Sequence, residues 1–340
     1  MKKNIISLIL VFYFILPISF SQSVQQFAEI GNLELVNGQT IEDCKIGFRT
    51  FGNLNSDSSN AIIFPTWFEG TTKDVGTLIQ KYSFIDTTKY FVIAIDALGN
   101  GVSSSPSNYN LFKIKTFPEI SIRDMVNSQH KFVTKYFGLK HLFAAVGGSL
   151  GGMQVLEWSV AYPDFIDKIV SYVSTPKLSS FDLLMMNIQL NIIETDKRYG
   201  VSEQETRKTL AMLMGGLDRT PDYFVSKIKP EDFESYLKSF DKDYSQTFTL
   251  EDYFFQLKAI IKHDIYASYN ESREETVKHI KSKLFLIISE TDLLVTPVET
   301  KNFAESVNAK TLLLNNNCGH LAVSCEIERC RKEIDTFLSE

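Results

Sequence analysis

What this sequence lacks removes several classes of protein before any motif is read. Its 340 residues hold four cysteines, Cys44, Cys318, Cys325 and Cys330, with no C-x-x-C pair and no histidine in ligand spacing beside them. A structural metal site is therefore not expected, and the cysteines are too few to frame the fold. No block of lysine and arginine is interleaved with aromatics, which removes nucleic acid as an expected partner. The pair Gly99 and Gly101 lacks the third glycine, and the acidic residue after a second strand, that a dinucleotide site needs. No cofactor is expected. Internal repeats and low-complexity linkers are missing too, so the chain reads as one large domain with an insertion rather than an array.

The apolar residues that are present, 44% of the total, suffice for a substantial core. The first of them have another use. Lys2 and Lys3 precede an apolar stretch over 5–15, and Ser19-Phe20-Ser21 forms a small-x-small site before Gln22. This pattern predicts a signal peptide over 1–21 with cleavage after Ser21, and so export to a periplasm or the cell exterior. The stretch is short and interrupted by Pro17, so no stable membrane anchor is expected after cleavage. Net charge is −6, and loss of Lys2 and Lys3 makes the mature chain more acidic. An even cysteine count in an exported chain permits disulfides. Cys325 and Cys330, five apart in an expected helix, face different ways, which argues against their pairing with each other.

Periodicity gives the organisation. Residues 27–35 and 41–51 read as an antiparallel strand pair, followed by buried strands over 61–65 and 90–95. A helix over 121–137 begins with Ser121 as N-cap and Asp124 at its third position. Strands follow at 142–146 and 169–173. Alternation then stops. From 176 to 269 the pattern is helical, with Met185, Met186, Met212 and Met214 and no convincing strand. Strands resume at 283–288 and 311–314, and a helix closes the chain over 325–338. The expected fold is α/β, with a mostly parallel central sheet flanked by helices. Its core runs over 22–175 and 270–340, and a helical cap is inserted at 176–269.

The chemistry centres on Gly147-Gly148-Ser149-Leu150-Gly151, placed where an apolar strand gives way to a helical pattern of Met153, Leu156, Trp158 and Val160. A G-x-S-x-G in that context is a nucleophile elbow, which lifts the serine oxygen above the sheet edge. The glycines are expected because strand and helix backbones come too close for a Cβ. Serine needs a base within hydrogen-bond reach and an acid to orient the base. With this elbow the chain order must be serine, acid, histidine. Of the five histidines, only His320 follows a strand-terminal acid that itself follows Ser149. His130 and His141 precede the elbow and suit the surface. Asp292 and Glu290 compete for the acid. The turn Glu290-Thr291-Asp292 before Leu293-Leu294-Val295-Thr296-Pro297 favours Asp292 and leaves Glu290 as a surface charge. Backbone N–H groups of Leu150 and of Phe68, or alternatively Trp67, are the expected oxyanion donors. Trp67, Met185 and Met212 are the candidate substrate-lining side chains.

Several longer runs are more selective than the elbow. They are Phe48-Arg49-Thr50-Phe51-Gly52-Asn53-Leu54-Asn55, Asp86-Thr87-Thr88-Lys89-Tyr90-Phe91-Val92-Ile93, Ile122-Arg123-Asp124-Met125-Val126, Gly147-Gly148-Ser149-Leu150-Gly151-Gly152-Met153-Gln154, Glu157-Trp158, Tyr162-Pro163 and Gly319-His320. Through them the chain resembles the homoserine O-acetyltransferase family of the α/β-hydrolase fold. That resemblance implies a ping-pong reaction in which acetyl-CoA acetylates the serine and a hydroxyl acceptor takes the acetyl group. Three features depart from the family pattern. Thr66-Trp67-Phe68-Glu69-Gly70 stands where an HALTG-like loop is usual, and only Ala259-Ile260-Ile261-Lys262-His263-Asp264 echoes the cap segment with its carboxylate-binding arginine. The signal peptide would separate the protein from acetyl-CoA. The sequence therefore points to an exported serine hydrolase acting on a small-molecule ester or acyl compound, with a homodimer compatible. A CoA-dependent O-acetyltransferase and an inert binding protein on the same fold are the alternatives.

Overall fold

The computed structural model describes residues 24–109, 116–240 and 248–340. The predicted signal peptide lies outside them. Strands β1 (Gln26–Glu34) and β2 (Thr40–Phe51) form an antiparallel pair, and β1 buries roughly alternate residues, as a strand with one face toward the core does. By contrast, β3 (Ala61–Pro65) and β4 (Phe91–Ile95) are buried at every position. Their uninterrupted apolar sequences fit strands covered on both faces. β5 (Leu142–Gly148), β6 (Ile166–Tyr172), β7 (Lys283–Ser289) and β8 (Lys310–Leu314) complete an eight-stranded sheet of order β1-β2-β4-β3-β5-β6-β7-β8, parallel from β4 to β8.

The order turns back on itself at β3. From β3 the chain steps outward to β4, then returns to lay β5 on the other side. In open parallel sheets such a reversal leaves a crevice beyond the carboxyl ends of the strands. The loop after β3 and the elbow after β5 both open into it.

Helices cover both faces. α1 (Thr72–Tyr82) and α12 (Ile327–Ser339) pack through Val75, Ile79, Ile334 and Phe337 against Ile62, Phe64 and Phe285. α2 (Ile122–Tyr136) and α3 (Leu150–Ala161) cover the other face. α2 starts as its sequence predicts. Ser121 Oγ accepts from the Asp124 N–H, and Asp124 returns a bond to the Ser121 N–H at 2.8 Å. α3 is buried from Leu150 through Val160, so it has no polar face, as befits a helix sealed between sheet, α2 and loops.

Between β6 and β7 the described residues form α4 (Ser180–Tyr199), α5 (Glu203–Asp218), α6 (Pro221–Lys227), α7 (Phe233–Lys238), α8 (Leu250–Ile261) and α9 (Arg273–His279). The two ends of this excursion are pinned together, since Ile265 N–H donates to Pro176 O at 3.0 Å and Lys177 pairs with Asp264 at 2.6 Å. α10 (Val298–Ser306) then joins β7 to β8.

The closing helix expected over 325–338 is α12, and a separate turn stands before it. A short α11 (Ala322–Cys325) comes first, the chain breaks at Glu326, and α12 follows. The break coincides with a disulfide between Cys318 and Cys325, while Cys44 and Cys330 are buried free thiols. Closing so small a ring removes on the order of 2–3 kcal/mol of unfolded-chain entropy in the loop-closure view.

The elbow glycines are required by space. A Cβ on Gly147 would fall 2.3 Å from Gly151 O, and one on Gly151 would fall 2.6 Å from Pro65 O. Both obstacles are backbone, which cannot rotate away. Gly151→Ala should therefore lower stability by about 1–3 kcal/mol through overpacking. A urea midpoint unchanged from the native protein would contradict this reading of the crossing.

Candidate active site

Ser149 occupies the turn between β5 and α3 at φ 53° and ψ −125°, a conformation costly for a residue with a Cβ. Its N–H donates to Tyr172 O at 3.0 Å, tying the strained residue to β6. Held there, the hydroxyl faces a cavity of about 490 Å³ at the carboxyl edge of the sheet.

The structure brings the three separated side chains together. His320 Nε2 lies 3.0 Å from Ser149 Oγ, and His320 Nδ1 lies 2.7 Å from Asp292 Oδ2. Asp292 uses its other oxygen to accept the N–H groups of Leu294 and Val295, both at 2.9 Å, so the turn after β7 fixes the carboxylate. Both partners are shielded, His320 being 6% exposed and Asp292 4%. His320 itself stands in a single tight turn after β8. The preceding Gly319 has φ +60°, and a Cβ there would meet Asp218 O at 2.9 Å. Glu290 pairs instead with Lys301 at 2.8 Å, away from the imidazole.

Electrostatics suit a base. Burial presses the His320 imidazole down, but the carboxylates of Asp292, Asp218 and Asp182 together outweigh it and hold the ring above its usual range. Of the other histidines, His141 is exposed and pairs with Asp167 at 2.8 Å. His130 is only half-buried at its expected surface position because its ring stacks on Tyr162 at 3.8 Å. His263 is buried with Nε2 3.0 Å from Thr175 O, and burial pushes it down to about 4.

The Leu150 N–H is the first of α3, and neither it nor the Phe68 N–H has a protein acceptor among the described residues. Both residues line the cavity with Ser149. A buried chain of side chains holds the loop carrying Phe68. Trp158 Nε1 donates to Gln129 Oε1 at 2.8 Å, Gln129 Nε2 to Gln154 Oε1 at 2.6 Å, and Gln154 Nε2 to Thr66 O at 3.0 Å. This chain ties α2 and α3 to the turn after β3.

Two of the three candidate lining side chains need correction. Trp67 lines the cavity, but Met185 and Met212 do not; their neighbours on the same helices, Met186 and Met214, take the places. Met212 is 37% exposed, and Met185 packs against the edge of the core. One residue, as between Met185 and Met186, turns a helical side chain by roughly 100°, and two, as between Met212 and Met214, by roughly 200°; the phase of α4 and α5 is set by packing that a list of methionines does not contain.

The sequence reading also missed a charged wall. Glu69, Arg207 and Asp218 line the cavity together with Gln189 and Tyr253. Arg207, 6% exposed, donates through Nε to Glu203 at 2.9 Å and through an Nη to Phe248 O. Tyr253 O–H donates to Gln189 Oε1 at 2.5 Å. Burial raises the carboxyl of Glu69, with Arg207 opposing and Asp218 adding to it; burial likewise raises Asp218. In the sequence these residues look like ordinary helix and loop charges, with no spacing to mark them. Among the described residues no cluster of three or more potential ligands could hold a metal ion, and no helix is long and apolar enough to cross a membrane.

A mostly parallel sheet carrying a strained serine elbow, with the histidine turn after its last strand, defines a strand-turn-helix class of serine-bearing folds. The chain belongs to the alpha/beta hydrolase fold family, whose pattern it matches over residues 62–324. It is 35% identical over 196 residues to an ethyl acetate hydrolase of Pseudomonas veronii, a match covering 57% of this chain and 55% of that protein. The chain thus spans about half the length of the first curated relatives it matches. It is 29% identical over 353 residues to the homoserine O-acetyltransferase of Methanosalsum zhilinae, covering 90% of this chain and 71% of the relative, in line with the likeness read from its motifs. Among solved structures, an acetylester hydrolase from Corynebacterium glutamicum superposes with a TM-score of 0.81 at 25% identity, covering 93% of this chain and 95% of the other.

The imidazole must be neutral to accept a proton, and the facing carboxylates hold it above the ordinary histidine value of about 6.5. The rate at which Ser149 reacts with a fluorophosphonate should therefore fall as pH drops, with a midpoint above 6.5. Asp292→Asn should move that midpoint down and cut the rate by about 10⁴. A native midpoint below 6.5 would contradict the balance of charges described here.

Proposed function

We propose that this chain is an exported serine hydrolase that cleaves small esters through an acyl-enzyme on Ser149. The arrangement of Ser149, His320 and Asp292 carries the reading, because each distance matches what proton transfer requires. Ser149 Oγ attacks the carbonyl while His320 Nε2 takes its proton. Asp292 holds the ring in the tautomer with hydrogen on Nδ1 and stabilises the imidazolium. The N–H groups of Leu150 and Phe68 receive the developing oxyanion, each typically worth about a hundredfold or more in rate. His320 returns the proton to the departing alcohol, and water, activated by the same ring, releases the acyl group.

Transfer to homoserine is the second reading, and the long match to homoserine O-acetyltransferases favours it. The cavity's charges weigh the other way. Two of the described donors of Arg207 are committed to Glu203 and Phe248 O, and Glu69 and Asp218 place two carboxyls on the same wall. The carboxylate of homoserine would meet like charge there, and only its ammonium would be attracted. Water carries none. The apolar side, with Trp67, Leu78, Val323 and Ile327, suits a short acyl chain, and the charged side suits a polar alcohol. Export rests on the residues before Gln22 and fits a disulfide beside the site, since such bonds persist in oxidising compartments.

Purified protein should turn over p-nitrophenyl acetate, and Ser149→Ala should abolish that turnover. Acetyl-CoA with homoserine should give no O-acetylhomoserine. Efficient acetyl transfer would replace hydrolysis by the second reading. Mass spectrometry of protein exported by its host should find a chain beginning at Gln22; an intact Met1 would remove export from the proposal.

A further inference from the structure

We propose that the Cys318–Cys325 disulfide positions His320, so that its reduction uncouples the imidazole from Ser149 while the rest of the chain stays folded. The inference rests on the reading of His320 as the base.

His320 lies inside the ring that the disulfide closes. The half of the turn before it is hung from neighbouring elements. Thr291 Oγ1 donates to Asn316 O, Thr220 Oγ1 to Asn317 O and Ser289 Oγ to Gly319 O, all at 2.7 Å. The half after it is differently held. Residues 321–325 are essentially α11, a single turn of four residues, too short to persist on its own hydrogen bonds. Its return ties are Leu321 N–H to Cys318 O at 3.1 Å, Ala322 N–H to Gly319 O, a long bond from Asn316 Nδ2 to Ala322 O at 3.3 Å, and the disulfide; just past it, Asn316 Nδ2 also donates to Glu326 Oε1 at 2.7 Å. The imidazole therefore sits between a half hung from β7, its following turn and the helical excursion, and a half held by bonds within the turn itself together with one covalent tie.

The same short segment forms part of the cavity wall, through Leu321, Val323 and Ser324. It also touches the helical excursion, for Arg219 Nη1 lies 3.7 Å from Cys325 Sγ. Burial of Ala322 and Val323 keeps the segment docked once the bond is cut, so the loss is one of register rather than of fold. Cys325 is exposed, which lets a reductant reach the bond. The free thiols of Cys44 and Cys330 are buried, and burial pushes each up to about 12, so they stay unreactive. A phosphine cleaves the S–S bond, leaves two thiols, and is itself oxidised to the phosphine oxide with oxygen from water.

The test treats the full-length purified protein with a water-soluble phosphine, counts thiols, and records three signals. These are the low-field proton resonance of the His320 Nδ1–H to Asp292 bond, far-UV dichroism on heating, and kcat and KM for p-nitrophenyl acetate. Reduction should release two thiols, broaden or remove the low-field resonance, and lower kcat about tenfold to a hundredfold with KM within about threefold. Native dichroism should persist at the assay temperature, and reoxidation should restore both signals. Cys318→Ser with Cys325→Ser should behave as the reduced protein and ignore the reductant. An unchanged resonance in protein with two new thiols overturns the proposal, and so does a loss that tracks global unfolding. If no ester is turned over in either state, the hydrolase reading fails separately, and the resonance still decides the role of the disulfide.

Discussion

The close crossing of β5 and α3 is the constraint on which the rest depends. Two backbone runs meet at Gly147 and Gly151 with no room for a Cβ, and a third, Pro65, presses on the second. That crowding is what keeps Ser149 at a positive φ and so presents its hydroxyl above the sheet. A conformation costing of order 1–3 kcal/mol persists only when its surroundings leave no alternative. Here they do so from two sides, through the β6 carbonyl of Tyr172 and the buried helix that follows. Everything else in the site is brought to a point that the crossing has already fixed.

Once the serine is placed, the remaining groups arrive from three different strand ends, and each is secured by its own device. Asp292 is clamped by two backbone N–H groups, which frees one oxygen for the imidazole. The turn bearing Phe68 is held from behind by the Trp158, Gln129 and Gln154 chain. Burying such a chain is costly unless every member is satisfied, and a satisfied one is rigid. His320 has the least regular support, a glycine-initiated turn closed by a disulfide.

The elbow, the strand order and the Ser, Asp, His succession could be read from the sequence because each follows from local backbone rules. A strand followed by a glycine-flanked serine and a helix has few other meanings. The runs that carried the family resemblance prove to be mostly scaffold. Gln154 and Trp158 belong to the buried chain, Arg123 pairs with buried Glu157, and Asp124 caps α2 and also receives the Val36 N–H at 2.8 Å. They mark the fold without touching the cavity opening, which is why the resemblance spoke firmly about architecture and less about substrate. What the sequence did not yield lies in helix phase and in tertiary pairing. Met186 differs from Met185 by one step of rotation and Met214 from Met212 by two, and Glu69, Arg207 and Asp218 meet only because α5 folds over the turn after β3. Cys318 and Cys325 pair across the short turn that precedes α12, an element that nothing in the sequence reading placed there.

Hydrolysis and acyl transfer share every step up to the acyl-enzyme, so the relay of Ser149, His320 and Asp292 cannot by itself choose between them. The choice lies in what reaches the acyl carbonyl next, and that is set by the wall opposite the apolar side. An arginine with open donors there would recruit an anionic acceptor and hold it over the ester. This wall instead presents Arg207 with Glu203 and Phe248 O already as partners, flanked by the carboxyls of Glu69 and Asp218. In a recess where burial already works against their ionisation, the carboxylate of an amino-acid acceptor pays a desolvation cost, and only its ammonium gains from Glu69 and Asp218. That local balance of charge is what supports the proposed hydrolysis over transfer to an amino acid.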